Sequence, residues 1–499
     1  MRKVLYFLTY LLALGGFCQN MDNFDDSTYV RSLEDFYISP AADSVDFETL
    51  AIDQFLSVVL ANHPVVRQAN LQELYADAEL TMARGMFDPK LTSDLNVKNF
   101  KDTEYYNMFN TTLKIPTWFP VDPKITLDRN TGVFLGDEKT IPEENNFRQL
   151  GAGISIPVGK GLFIDERRLA VRQAQAFRGI ALAQQVKMTN KILFTAIKDY
   201  WNWWEGYQRL QLLQQSVDIA EELFERVLLD YGFGEAAVVD TVQAKITYQT
   251  RMTDFEQTRL DYIKSGLALS VHLWSEEGYP LELQPNVIPD TLANLGTVPT
   301  DSALLQLIQF AMDFHPEVRK LDGKIEQLEV ENRWNVESLK PQIDLSYTFI
   351  DAPITPLGEF SAPEWNDNYK LGVDFSFPIF LRKERGKLQK TKLKIQENEL
   401  YRNQIRQEIR NGISASYYDI LATERLSNQF QSMAENYFRL LEAEILNLET
   451  GESDLFKLNI QQDKYIESQL KYFKTLTKYQ KSKSAILYVA GVPFLSLTN

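Results

Sequence analysis

The sequence predicts a mainly α-helical protein with a β-barrel part, built from two copies of one helix–strand–strand–helix plan. Two long stretches without proline, between Pro157 and Pro280 and between Pro378 and Pro493, predict unusually long helices because proline breaks helix interiors. A repeated His-Pro dipeptide indicates an internal duplication. Segments in which polar and apolar residues alternate predict strands between the helices.

The composition excludes several classes of protein. The chain has 499 residues, of which 44% are hydrophobic and 24% are charged, and its formal net charge is −16. These values are typical of a globular protein rather than of a disordered chain or a bundle of transmembrane helices. The acidic charge disfavours binding to nucleic-acid phosphates. One cysteine and three histidines exclude a disulfide framework and disfavour a histidine-rich metal site.

The N-terminal residues are typical of an export signal. Two basic residues precede an apolar run from Val4 to Phe17, which is too short to span a bilayer as a helix. We expect cleavage after Cys18, so that residues 1–18 form a signal peptide. In the alternative interpretation Cys18 carries a lipid, and the protein is exported in both cases. Residues 19–45 are acidic and lack periodicity, which predicts an extended tail.

Matching His-Pro dipeptides and prolines align the two repeats. His63-Pro64 pairs with His315-Pro316, and Pro89 pairs with Pro341 at the same spacing of 252 residues. Each His-Pro dipeptide opens a predicted helix of about 22 residues, because proline is well accommodated in the first helical turn. We therefore predict repeat 1 at residues 46–274, a linker at 275–300 and repeat 2 at 301–494.

Each proline-free stretch contains a predicted hairpin of two helices. Apolar residues recur every three or four positions, which predicts a stripe that packs against other helices. Gly232 and Gly234 in the first stretch and Gly451 in the second predict the turns, because glycine adopts the positive φ that ends many helices. At about 1.5 Å per residue, the longer helix of each pair would reach roughly 100 Å. The predicted helices span residues 165–230 and 236–274 in repeat 1, and 384–449 and 454–490 in repeat 2.

Two strands are predicted in each repeat, within residues 90–156 and 342–377. Alternation with period two extends over about nine residues, the length of a membrane-spanning strand. Four strands are too few to close a barrel, and an open edge in lipid would leave backbone groups unpaired. A barrel would therefore need several chains: two would supply eight strands and three would supply twelve. A half-buried sheet in a soluble protein produces the same alternation.

The order of these motifs resembles that of the TolC family of outer-membrane efflux proteins. Matching features are the two His-Pro repeat starts, the glycine turns, and the segments Ser155-Ile156-Pro157, 161–168, Leu273-Trp274, Ser376-Phe377-Pro378 and 490–493. The resemblance implies a homotrimer with a twelve-stranded transmembrane β-barrel in the cell outer membrane. It also implies an antiparallel coiled-coil helical duct that extends into the periplasm.

The same resemblance implies a role in transport rather than catalysis. Such ducts conduct substrates passively from a periplasmic adaptor (membrane fusion) protein and an inner-membrane pump to the exterior, in efflux or type I secretion. No cofactor and no metal site are expected in this sequence. The alternative function is that of an exported periplasmic coiled-coil scaffold without a transmembrane barrel.

The resemblance also suggests which residues carry the function. The hairpin turns are expected to contact the adaptor through Gly232, Gly234, Glu235, Gly451, Glu452 and Ser453. An entrance constriction is expected near Asp240, Asp454 and Lys457. Family members often carry an aspartate ring after the second turn, whereas Lys457 and Ile460 stand at the matching positions here.

Other candidate residues are interpreted as structural. The sequence contains no phosphate-binding loop, nucleophile elbow or paired-carboxylate arrangement, so neither enzymatic activity nor a cofactor is expected. His63 and His315 are expected to cap the helices that they precede, and His272 to be structural. A tryptophan cluster is expected to fill an interface between helices rather than to line a transport path: Trp201, Trp203 and Trp204.

Overall fold

A computed structural model describes residues 48–143, 146–290, 301–351 and 368–494. The predicted signal peptide at 1–18 and the predicted tail at 19–45 lie outside the described residues. So do positions 291–300 of the predicted linker and most of the loop between the two strands of repeat 2.

The chain is mainly helical, as the sequence predicts, and the same series of helices occurs twice. The two long helices, α3 (Glu166–Phe233) and α7 (Arg382–Glu449), have 68 residues each and so extend over about 100 Å. The helices are α1 (Ile52–Asn62), α2 (Pro64–Arg84), α3 (Glu166–Phe233), α4 (Val238–Ser270), α5 (Asp301–Phe314), α6 (Pro316–Glu337), α7 (Arg382–Glu449) and α8 (Leu455–Val489). None of these helices combines the length and the apolar character needed to cross a membrane.

Each long helix packs against three shorter helices of its own repeat. Helices α1, α2 and α4 contact α3, and helices α5, α6 and α8 contact α7. Helix α3 also contacts α6 and α8, which joins the two repeats. Helix α3 begins after Asp165, whose carboxylate accepts a hydrogen bond from the Arg168 backbone N–H at 2.8 Å. Side-chain capping of this kind satisfies an N–H group that has no partner within the helix.

The largest core lies where α3 meets α1 and α4. Tyr200, Trp201 and Trp203 are fully buried there, together with Phe55 and Leu269. The rings of Tyr200 and Trp201 meet edge to face, with centroids 5.8 Å apart, and Phe55 stacks on Tyr200. The hydroxyl of Tyr200 donates to the Leu50 carbonyl at 2.8 Å, which ties α3 to a small sheet. That sheet is a parallel pair of strands, β1 (Glu48–Leu50) and β6 (Val287–Pro289).

The larger sheet has six antiparallel strands in the described part of the chain, so the predicted contribution of four strands is wrong. Its order is β2-β3-β4-β5-β7-β8, which follows the sequence, with β5 of repeat 1 paired to β7 of repeat 2. The strands are β2 (Lys90–Phe100), β3 (Thr103–Lys114), β4 (Asp122–Thr131), β5 (Arg148–Pro157), β7 (Gln342–Asp351) and β8 (Tyr369–Ser376).

The two unpredicted strands, β3 and β4, lie between the two strands that the sequence predicts in repeat 1. A two-residue turn joins β2 to β3, with Lys101 at φ +48° and Asp102 at φ +57°. Tight hairpins need positive φ, which Asn-Gly and Asp-Gly signal in a sequence and Lys-Asp does not. Thr and Tyr side chains in β3 also make its alternation weak. Pairing with neighbouring strands therefore defines β3 more than its own pattern does.

Strand register gives the sheet one mostly apolar face and one polar face. Leu91 pairs with Leu113, Leu113 with Ile125, and Ile125 with Ala152 across successive strands. Many side chains on the apolar face are exposed, Phe375 by 68%. The apolar face includes Leu91, Leu95, Val97, Phe109, Leu113, Ile125, Leu127, Leu150, Ile154, Leu345, Tyr347, Leu371, Val373 and Phe375. Within the described residues no helix makes an extensive contact with this sheet.

Candidate functional site

The first hairpin turn connects α3 to α4. Gly234 ends α3 with φ +81°, and no atom lies within 4 Å of the position that its Cβ would occupy. The backbone N–H of Glu235 donates to the Asp230 carbonyl at 2.9 Å, which closes the last turn of the helix. Gly232 lies within α3 and does not have positive φ, so Gly234 alone supplies the conformation that the turn requires.

The second hairpin turn connects α7 to α8 in a similar way. Gly451 has φ +76°, also with open space around it, and the Glu452 N–H donates to the Asn447 carbonyl at 2.8 Å. Ser453 donates from its hydroxyl to the Glu444 carboxylate. Gly234 and Gly451 therefore play equivalent roles in the two repeats. Each turn is separated from the sheet end of its long helix by about 100 Å of helix.

The acidic residues after both turns cap helix starts. Asp240 accepts from the Ala237 N–H at 3.0 Å, and Asp454 accepts from the Lys457 N–H at 2.9 Å. The Lys457 ammonium lies 3.9 Å from the second Asp454 oxygen. The structure thus brings Asp454 and Lys457 together, whereas Asp240 lies on the other hairpin. Because the Lys457 ammonium offsets the exposed Asp454 carboxylate, this second turn carries less negative charge than Asp454 alone would give it.

The two hairpins pack against each other close to these turns. Leu223 of α3, Leu441 of α7 and Leu458 of α8 form one buried cluster. Because Leu458 lies one turn inside α8, this cluster fixes the second hairpin turn against α3. The two turns therefore belong to one packed end of the helices, although they are more than 200 residues apart in sequence.

An exposed apolar surface that none of the sequence motifs predicts lies beside the first turn. Phe233 is 80% exposed and Val239 is 71% exposed. The remaining members have a helical spacing that could have revealed a stripe: Val238, Val242 and Ile246. Isolated exposed apolar residues are common, but several on one helix face indicate a contact surface.

The two His-Pro motifs cap helices, as predicted. The Nδ1 atom of His63 accepts from the Val65 N–H at 3.1 Å, and Nδ1 of His315 accepts from the Glu317 N–H at the same distance. His272 is buried and pairs through Nε2 with Asp199 at 2.8 Å, consistent with a structural role. The three tryptophans also lie in the core, as predicted, because Trp201, Trp203 and Trp204 are at most 4% exposed.

Protonation of His63 is expected to make the protein sensitive to acid. Burial, and the nearby His272, lower the pKa of His63 from 6.5 to about 4. The unfolded chain then binds a proton more readily, so stability should be complete above pH 6.5 and should decrease as the pH falls towards 4. Protonated Nδ1 also could not accept the Val65 N–H.

His63→Asn should reduce this acid sensitivity, because asparagine keeps a capping acceptor and does not titrate. The measurement is the thermal midpoint at pH 7.5 and pH 4.5 for both proteins. His315, whose pKa burial also lowers, is present in both and contributes equally. An equal loss of midpoint in the two proteins would contradict this role of His63.

The chain has the fold of solved outer-membrane channels. It matches the CmeC outer membrane channel of Campylobacter jejuni with a TM-score of 0.63 and 13% identity, over 88% of this chain and 85% of that one. It matches VceC of Vibrio cholerae with a TM-score of 0.62 and 13% identity, over 88% and 96%. The open MtrE channel of Neisseria gonorrhoeae gives 0.62 and 12%, over 88% of both chains.

No protein-family model and no curated protein sequence matches this chain at a significant level. At 12–13% identity the structural similarity shows the fold alone. It confirms the architecture that the motif order implies, with long helical hairpins joined to a curled antiparallel sheet.

Proposed function

We propose that this protein is an outer-membrane channel that conducts substrates passively from the periplasm to the exterior. It would act as the outer component of an efflux or type I secretion system, with no catalytic activity and no cofactor. The observation that carries this proposal is the six-stranded sheet with an exposed apolar face, joined to helical hairpins of about 100 Å.

The exposed apolar face favours a membrane over water. In water, uncovered apolar surface costs about 25 cal/mol per Å² relative to burial, so monomeric soluble proteins rarely expose large continuous patches. Lipid would cover this face, while the opposite face, with Lys90, Asp94, Lys124 and Asp374, would line a water-filled interior. The alternative of a periplasmic scaffold leaves this apolar face unexplained.

The open edges of the sheet favour an oligomer, and we propose a homotrimer. Among the residues that the structure describes, strands β2 and β8 have no neighbour on their outer sides, and hydrocarbon does not tolerate such unpaired edges. Within each protomer, the repeats at 46–274 and 301–494, joined by the linker at 275–300, would supply the two halves of the wall. Their long hairpins would form the duct that crosses the periplasm.

The two hairpin turns would meet the periplasmic adaptor protein, which connects the channel to an inner-membrane pump. They lie at the ends of the helices that are furthest from the sheet along the chain. The residues at these turns are Gly232, Gly234, Glu235, Gly451, Glu452 and Ser453. The exposed apolar residues Phe233 and Val239 extend this surface.

The periplasmic entrance would narrow near the starts of the returning helices. Asp240, Asp454 and Lys457 lie there, one turn beyond the glycines. Because Lys457 pairs with Asp454, this constriction would be less acidic than one formed by aspartates alone. Its width would depend on how the hairpins of neighbouring chains pack.

Replacing Gly234 and Gly451 by valine is expected to impair export without preventing membrane insertion. A non-glycine residue at positive φ costs about 1–2 kcal/mol, and more for a β-branched side chain, while open space excludes a steric clash. The turns should rearrange, but the sheet, about 100 Å away, should not. Export is measured in cells that lack the native gene, and insertion is measured by detergent extraction of outer membranes.

Gly179→Ala is the matched control, because Gly179 lies inside α3, far from the turns, and has equally open surroundings. It should export normally, since alanine favours a helix more than glycine does. If the double valine variant exports normally and still crosslinks to the adaptor, the turns are not the docking site. If the unmodified protein is freely soluble in the periplasm, the channel proposal itself is wrong.

A further inference from the structure

We propose that β2 of one chain pairs with β8 of the next, with Lys90 opposite Asp374 and Asp94 opposite Lys370. Three chains would then close a barrel of eighteen strands, six from each. This inference rests on the proposed homotrimeric channel and specifies how its barrel is assembled. The partner at each edge is a second copy of this chain.

The strand directions allow this closure. The six strands form an antiparallel series in sequence order, so β2 and β8 run in opposite directions. Strand β8 of one chain is therefore antiparallel to β2 of the next, whatever the number of chains. Every residue of β2 is exposed, and so is every residue of β8 except Gly372. Both edges are thus accessible along their whole length.

The two faces of the sheet limit the registers that are available. Leu91 and Leu95 lie on the apolar face of β2, and Leu371 and Val373 lie on the apolar face of β8. A shift by one residue would place apolar side chains opposite polar ones on the wrong face. Only registers that differ from one another by an even number of residues therefore keep the faces of neighbouring chains continuous.

Charge selects one of these registers. In an antiparallel pair, residue numbers rise along one strand while they fall along the other. Placing Lys90 opposite Asp374 therefore also places Asp94 opposite Lys370. Both pairs join opposite charges on the polar face. Shifting β8 by two residues, so that Lys90 faces Ser376, removes both pairs. Shifting it by four places Asp94 opposite Asp374, which brings like charges together.

Within one chain, two of these charges lie opposite a residue of the same charge. Lys90 stands opposite Lys114 in the β2–β3 pair, and Asp374 stands opposite Asp344 in the β7–β8 pair. On the inner side of its edge, β8 already faces opposite charges within the chain, because Lys370 lies near Asp128 and Asp374 lies near Lys124. An adjacent protomer would add opposite charges on the outer side of each edge.

The number of strands determines the width of the barrel. Six strands in each of three chains give eighteen, whereas four in each would give twelve. Barrel diameter grows roughly linearly with strand number. The channel through the membrane would therefore be about half as wide again as that of a twelve-stranded barrel.

Cysteine crosslinking in isolated outer membranes tests the edge pairing. In the proposed register Leu91 lies opposite Val373, so the Leu91→Cys, Val373→Cys double variant should form disulfides between chains on mild oxidation. Denaturing electrophoresis should then show covalent trimers. The Leu95→Cys, Val373→Cys variant reports the register shifted by four residues and should not crosslink, because about 13 Å separates these positions in the proposed register.

A charge exchange provides an independent measurement. Lys90→Asp alone should lower the temperature at which the oligomer dissociates, and adding Asp374→Lys should restore it. Crosslinking of Leu95→Cys with Val373→Cys instead would overturn the register. A third variant, Ser93→Cys with Val373→Cys, reports the register shifted by two residues. Absence of all three crosslinks in a protein that is extracted from the outer membrane as an oligomer would overturn pairing of β2 with β8, and with it the eighteen strands. A soluble protein would instead contradict the proposed function.

Discussion

Replacing Trp203 by alanine is expected to lower the free energy of unfolding by about 3–5 kcal/mol, as is usual for a fully buried aromatic side chain. Trp203 is completely buried where α3 meets α4, and its ring lies edge to face with Tyr200 at 5.9 Å. The residual cavity would lie between helices from distant parts of repeat 1, so it could not collapse without shifting one of them. Chemical denaturation in detergent micelles measures the loss.

Two variants provide controls for Trp203→Ala. Trp203→Phe keeps a ring in the core and should lose less than the alanine variant. Leu229→Ala, on the same helix but 64% exposed, should change the free energy of unfolding by no more than about 0.5 kcal/mol. Equal effects of Trp203→Ala and Leu229→Ala would contradict the assignment of Trp203 to the core.

Replacing Leu95 by lysine should strongly impair insertion into a bilayer. Leu95 lies at the middle of β2, on the exposed apolar face. A lysine that faces lipid near the bilayer midplane costs about 2–4 kcal/mol. Folding into lipid vesicles, followed by the heat resistance of the folded species, measures this effect. The loss should be greatest in thick bilayers, where the side chain cannot reach the interface.

Asn96→Lys is the matched control for Leu95→Lys, because Asn96 is the next residue and points to the opposite, polar face. It should insert normally if that face lines a water-filled interior. Equal impairment by both lysines would argue against two chemically different faces. Normal insertion of both would show that lipid does not cover the Leu95 side.

Local features of the sequence determined most of the helical structure. Proline limits, helical periodicity and glycine turns predicted α3, α4, α7 and α8, and the structure has long helices in the same segments. Gly234, Gly451 and the two histidine caps were also predictable, since each depends on residues only a few positions apart. Helix ends are local structures, and their residue preferences are therefore visible in one sequence.

Parts of the candidate site depended on conformations that composition does not reveal. Gly232 resembles Gly234 in sequence, but only Gly234 has positive φ. Asp240 and Asp454 are expected near an entrance constriction, but their hydrogen bonds to helix starts become visible only in the folded chain. The packing of Leu223 against Leu441, which joins the two hairpins near their turns, links positions too distant for any local pattern to predict.

Contacts between distant parts of the chain determine the number and the order of the strands in the large sheet. Alternation identified β2, β5, β7 and β8, but β3 and β4 have weaker patterns and are held by their neighbours. The pairing of β5 with β7 joins the two repeats across almost 200 residues. A helix forms its hydrogen bonds within its own segment, whereas a strand completes them with a partner elsewhere in the chain. For this reason the sequence alone determined the helices and their turns, and only the folded chain decided the number and order of the strands.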